Sequence, residues 1–104
     1  MIRQFDVVRN PLKSGRDERP YVIVIQHAFL DDLPTRVVVP LTTASALRAQ
    51  PRLNPAFKIL GQSVRLSPTE PFSLLLRHLR NPVASLASER DRIVAALDLV
   101  FTGI

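Results

Sequence analysis

Residues 20–41, PYVIVIQHAFLDDLPTRVVVPL, decide the fold class of this chain. Tyr21 to Ile25 is a β-branched run between breakers, the pattern of a central strand buried on both faces. Arg36 to Val39 is a second such run, and Pro40, which has no N–H for a sheet ladder, is expected to stop it. Between them Phe29 to Pro34 reads as a connecting loop, marked by Asp31-Asp32 and Pro34.

Upstream, Arg3 to Val8 reads as an opening strand with Phe5 and Val7 on one side. Asn10 to Pro20, NPLKSGRDERP, is polar and rich in breakers and charge, and reads as a mobile loop. Downstream, Thr42 to Gln50 fits a short helical turn that Pro51 ends. Ala56–Leu60 and Ser63–Leu66 both alternate about Gly61-Gln62, a hairpin pattern. Phe72 to Leu76 fits a strand, although Leu74-Leu75-Leu76 equally suits the start of a short helix. There is no internal repeat. With nine prolines and many short connections, the first four-fifths reads as a small antiparallel barrel or sandwich.

The last fifth has a different period. Ser88-Glu89-Arg90-Asp91 matches a capping box, with Ser85 as a second candidate cap, and Glu89 and Asp91 suit a first helical turn. From there Ile93, Leu97, Val100 and Ile104 recur at helical spacing, in a stripe that extends back to Leu86. The wheel sends this stripe inward, places Phe101 on its shoulder, and turns Asp91, Asp98 and Thr102 outward. Gly103 is a natural stop. The terminal LVFTGI therefore reads as core on one side and as a contact surface on the other.

At 104 residues the chain is expected to be one domain, able to bury a core without cross-links. It has no cysteine, which excludes disulfides and thiolate metal sites and suits a reducing cytoplasm. The N-terminus lacks the apolar run of a signal peptide, and the longest apolar run is five residues, too short for a membrane span. A cytoplasmic protein is the expectation. The net charge is +5, and twelve of the fourteen cations are Arg, which favours an acidic partner.

Chemistry is harder to find. GxGxxG, Walker, HExxH and GxSxG motifs are all missing, and three glycines are too few for a phosphate-cradling loop. His27 and His78 stand far apart with no partner spacing, and surface or packing roles suit them better than catalysis. Asp31-Asp32 suits a turn better than a metal. No cofactor is expected. Arg77-His78-Leu79-Arg80 and Arg90-Asp91-Arg92 are the densest charge clusters. The first lacks the interleaved aromatics of a nucleic-acid surface, and the second pairs locally with Glu89 and Asp91.

Several fragments, taken in order, resemble the CcdB toxins of bacterial toxin–antitoxin pairs. They are Gln4-Phe5-x-Val7, then Ile25-Gln26, the apolar Phe29-Leu30-Asp31, and Arg36-x-Val38-x-Pro40-Leu41. Towards the C-terminus come Val83-Ala84-x-Leu86, the Arg90 region, Ile93, Ala96, Leu99 and the closing Phe101-x-Gly103-Ile104. The likeness spans nearly the whole chain and is strongest in about 40 residues. It implies a mainly β fold: an SH3-like antiparallel barrel with a small additional sheet and one C-terminal α-helix, assembled as a twofold homodimer. It also implies a function without catalysis, namely binding the DNA gyrase A subunit and trapping the cleaved-DNA complex. A CcdA-like antitoxin with a disordered acidic tail would neutralise the toxin and, together with it, bind operator DNA.

Carried over by position, the gyrase-facing residues are Phe29, Leu30, Asp98, Phe101, Thr102, Gly103 and Ile104. The family's loop pair is usually two isoleucines, the Asp98 position is Asn, and the Thr102 position is Trp in the gyrase poisons. An exposed Trp is a typical interface anchor worth ~2–4 kcal/mol, and Thr offers no equivalent surface. Two alternatives keep the fold. One is a ribonuclease resembling MazF-like toxins, for which Arg77, His78 and Arg80 form the available cluster. The other is a non-poisoning remnant that only binds antitoxin.

Overall fold

The computed structural model describes residues 1–104, apart from the side chain of Ala44. Seven strands and one helix follow in order: β1 (Asp6–Arg9), β2 (Tyr21–Val24), β3 (Thr35–Thr43), β4 (Ala56–Ile59), β5 (Gln62–Leu66), β6 (Phe72–Leu75), β7 (Ala84–Ser85) and α1 (Arg90–Thr102). Six strands run antiparallel in the order β4-β5-β3-β2-β1-β7, and β6 pairs with β3 outside that path. The result is a mainly β, nearly closed SH3-like barrel with one C-terminal helix.

The apolar run of β2 lies at the centre because both of its faces are covered. Tyr21 and Ile23 enter one core with Phe5, Val7, Val39, Leu41, Phe57, Ile59, Val64 and Leu66, closed by Leu86, Ile93 and Ala96. Val22 and Val24 point the other way, into a second core with Ile2, Val8, Val38, Leu74 and Leu79. Strand alternation thus splits one apolar run between two cores.

Strand β3 does not stop at Pro40 as expected but runs on to Thr43. The Ile25 N–H donates to the Val37 carbonyl at 3.0 Å. Alternate residues from Val37 onward therefore face β2, and Pro40 turns its backbone away. That side is where β3 changes partner, from Phe72 of β6 opposite Val38 to Leu66 of β5 opposite Leu41. No ladder bond is asked of the missing N–H, and the Pro40 carbonyl accepts from Ser67 N–H at 3.0 Å.

The β4–β5 hairpin forms, with its turn one residue earlier than expected, since Ile59 pairs with Gln62. Leu60 and Gly61 have φ of +50° and +82°, the pair of left-handed residues that a two-residue hairpin loop requires. The segment after Thr42 is mostly strand and loop, with a single 3₁₀ turn at Ala44–Ala46. Phe72–Leu76 satisfies both readings in sequence: strand β6, then a 3₁₀ turn over Leu76–His78. The Asn10–Pro20 loop, read as mobile, is tied at both ends. Buried Asn10 donates to the Arg19 carbonyl at 2.9 Å and accepts from Leu12 N–H at 3.0 Å, while Arg19 pairs with Glu70 at 2.8 Å.

The capping box is not formed. A 3₁₀ turn over Ala87–Glu89 precedes α1, so backbone carbonyls take the first amides: Glu89 N–H bonds Leu86, and Arg90 N–H bonds Ala87. Ser85 acts one step earlier, its Oγ accepting from Ala87 N–H at 3.2 Å. The expected inward stripe also ends early. Leu86, Ile93 and Ala96 are buried, Val94 and Leu97 pack half-buried on the core, and Val100 is half-buried beyond them. Phe101 and Ile104 are exposed, which overturns the placement of Ile104 in the core. Gly103, at φ +74°, closes α1 with its N–H on the Asp98 and Leu99 carbonyls, both at 3.2 Å. Ile104 thus leaves the helical wheel, and Phe101 and Ile104 stand open while Leu99 and Val100 stay half-buried.

Candidate functional site

Among the exposed apolar side chains of this scaffold, which include Leu60 on the β4–β5 turn, two groups hold the residues expected at a site. The first is the β2–β3 connection, where a 3₁₀ turn spans Ala28–Leu30. His27 caps it through Nδ1, which accepts from Phe29 N–H at 2.9 Å. Phe29 is left 85% exposed and Leu30 45% exposed. Beneath them lie two buried polar side chains. Gln26 donates to the carbonyls of Leu30 (3.1 Å) and Thr35 (3.2 Å), and its Oε1 accepts from Val37 N–H at 2.9 Å. Arg36 donates to the carbonyls of Leu33 (2.6 Å), Thr35 (2.9 Å) and Asp31 (3.1 Å), and its Nε lies 3.6 Å from the Asp31 carboxylate. Asp31 is therefore a partner of Arg36 inside a turn.

The second element is the end of α1. Phe101 is 69% exposed and Ile104 84% exposed. Asp98 and Thr102 are exposed too, and the Thr102 hydroxyl donates to the Asp98 carbonyl at 2.8 Å, which turns its polarity into the helix. The base of α1 is pinned to the barrel by Arg92, which reaches the Ala56 carbonyl at 3.0 Å, sits 4.7 Å from the centre of the Phe57 ring and pairs with Glu89. Arg90 pairs with Asp91 at 3.9 Å, so the local pairing read from the sequence is present.

The seven carried-over residues thus fall into two groups, Phe29 and Leu30 on the loop, and Asp98 with Phe101–Ile104 on the helix end. Among the described residues no hydrogen bond joins the groups. Arg77 and His78 lie exposed beside β6, and Arg80 donates to the Arg77 carbonyl at 2.9 Å. Arg80 also lines an open groove of about 560 Å³ together with Leu76, Leu79 and the loop-base residues Asp31 and Arg36. The two histidines serve different segments and do not form a pair. The sequence reading gave no role to Gln26, Arg36 or the Arg92–Phe57 contact. The available signal was a polar residue at each end of the apolar loop, set against two buried strands.

A small antiparallel barrel closed by one C-terminal helix, with an apolar loop and an apolar helix end held open, is the architecture of an SH3-like barrel with two exposed apolar contact elements. The chain belongs to the CcdB family of toxins, whose family pattern (CcdB protein) matches residues 4–103. No curated protein matches it. Among solved structures it is similar to an endoribonuclease in complex with its cognate antitoxin from a mycobacterial species. That likeness covers 97% of this chain and 95% of the other, with a TM-score of 0.75 at 17% identity, and it is a likeness of fold.

Proposed function

We propose that this chain is the toxin of a toxin–antitoxin pair that binds the DNA gyrase A subunit and traps the cleaved-DNA complex, with no chemistry of its own. The observation that carries the reading is the exposure of Phe29, Phe101 and Ile104, on a hydrogen-bonded turn and at the end of α1. Covering a large apolar side chain is worth about 1.5–3 kcal/mol, so such residues held open mark a surface that a partner covers. In this reading Phe29, Leu30, Asp98, Phe101, Thr102, Gly103 and Ile104 meet gyrase, and Phe101 supplies the aromatic anchor. The toxin works as a homodimer, and a CcdA-like antitoxin brings an acidic tail to a surface of net charge +5. Toxin and antitoxin together bind operator DNA. The test is a binding titration of the purified chain with the gyrase A subunit, followed by addition of the antitoxin. Saturable binding that the antitoxin reverses supports the reading, and absence of binding refutes it. Binding to the antitoxin alone identifies the non-poisoning remnant.

A second reading rests on a different observation. Arg77 and Arg80 have no carboxylate within salt-bridge distance among the described residues, and exposed His78 stands between them. Two cations for phosphate and an imidazole to activate the RNA 2′-hydroxyl suit a ribonuclease, the activity named for the mycobacterial structure. Cleavage of RNA by the pure protein, lost in His78→Ala, would support this reading.

A further inference from the structure

We infer that Gln26 and Arg36 are positioning residues, a buried polar base that sets the apolar loop in its binding shape before any partner arrives. The inference rests on the reading of Phe29 and Leu30 as target contacts. Arg36 is 4% exposed and Gln26 7% exposed, yet both spend their donors on the loop. Arg36 takes the carbonyls of Asp31, Leu33 and Thr35, and Gln26 takes those of Leu30 and Thr35. A buried guanidinium is costly unless its hydrogen bonds are met. Here backbone carbonyls meet most of them, and the Asp31 carboxylate lies beside its Nε.

The direction of these bonds explains the exposure of Phe29. The carbonyls of Leu30, Asp31, Leu33 and Thr35 are turned onto the two side chains, and the Phe29 side chain is left on the solvent side of the turn. The loop's own bonds complete the shape: Leu30 N–H to the His27 carbonyl (3.0 Å), Asp31 N–H to Ala28 (3.0 Å) and Leu33 N–H to Leu30 (3.1 Å). A loop fixed in this way gives up little freedom on binding, which raises affinity without adding a contact. A planar fork of five donors does this; a lysine ammonium, with three donors at a single point, cannot span the same carbonyls.

Two substitutions separate this role from charge and from sheet register. Arg36→Lys keeps the charge. Gln26→Glu keeps an acceptor for Val37 N–H and replaces the amide donor to the loop by an oxygen; the charge it adds is the reason it is read beside Arg36→Lys, which adds none. In both variants amide exchange at Phe29, Leu30, Asp31 and Leu33 is expected to speed up about tenfold or more, with the β2 amides Val22–Val24 unchanged. Unchanged loop exchange in both variants would overturn the inference, whatever the target proves to be. Binding to the gyrase A subunit gives the second readout. Arg36→Lys should weaken it about tenfold, and Phe29→Ala in that background should cost clearly less than it does alone, since both act through one loop. Additive losses would overturn the positioning role, whereas failure of the unaltered chain to bind would refute the gyrase reading only.

Discussion

Replacing Phe101 by Ala tests whether the end of α1 is core or contact surface. With 69% of its surface open, Phe101 buries about a third of its side chain. A fully buried Phe is worth about 1.5–3 kcal/mol, so a third is about 0.5–1 kcal/mol. Ala is the better helix former by roughly 0.5 kcal/mol, which offsets most of that loss. Folding stability should therefore change by less than about 0.5 kcal/mol, as at an ordinary surface position. Target binding should fall by about 2–4 kcal/mol, or roughly 30- to 1000-fold, if Phe101 is the aromatic anchor. Urea unfolding followed by far-ultraviolet circular dichroism measures the first quantity, and a gyrase A titration of the same preparation measures the second. A stability loss above about 2 kcal/mol would refute the reasoning, because only a packed side chain costs that much.

Other outcomes follow from the same geometry. Ile93→Ala, at a fully buried position of α1, should cost about 2–5 kcal/mol in the same unfolding assay. Leu60→Asn should stabilise the β4–β5 hairpin by about 0.5–1 kcal/mol, since Asn accepts the left-handed backbone that Leu60 holds at φ +50°. Differential scanning calorimetry would show this as a rise of roughly 2–8 °C in Tm. Thr102→Trp restores the residue found in the gyrase poisons and should tighten gyrase A binding by about tenfold or more in a calorimetric titration; unchanged or weaker binding would mean that the carried-over surface is misplaced.

Much of the fold could be read locally. The unbroken Tyr21–Ile25 run announced a strand covered on both faces, and the structure divides it between two cores. The β4–β5 alternation announced a hairpin, and the helical spacing after Leu86 announced α1. What could not be read depends on tertiary neighbours. Pro40 is harmless only because β3 changes partner beside it, and that exchange is set by β5 and β6, more than twenty residues away. The helical wheel gives the direction of Ile104 but not the length of barrel beneath it, and the core contacts end at Leu97. Gln26 and Arg36 bond to backbone carbonyls, which carry no residue identity, so no motif marks them. The seven candidate site positions came from resemblance, and what the fold adds is the exposure of Phe29 and Phe101, which no local pattern announced.

The central claim is tested most directly by incubating purified gyrase and supercoiled DNA with this chain, then denaturing the enzyme and measuring linear DNA. Linear, gyrase-linked DNA should rise with the amount of the chain and be lost when Phe29 and Phe101 are both replaced by Ala. No linear DNA above the gyrase-alone level, or equal trapping by the double variant, would contradict it.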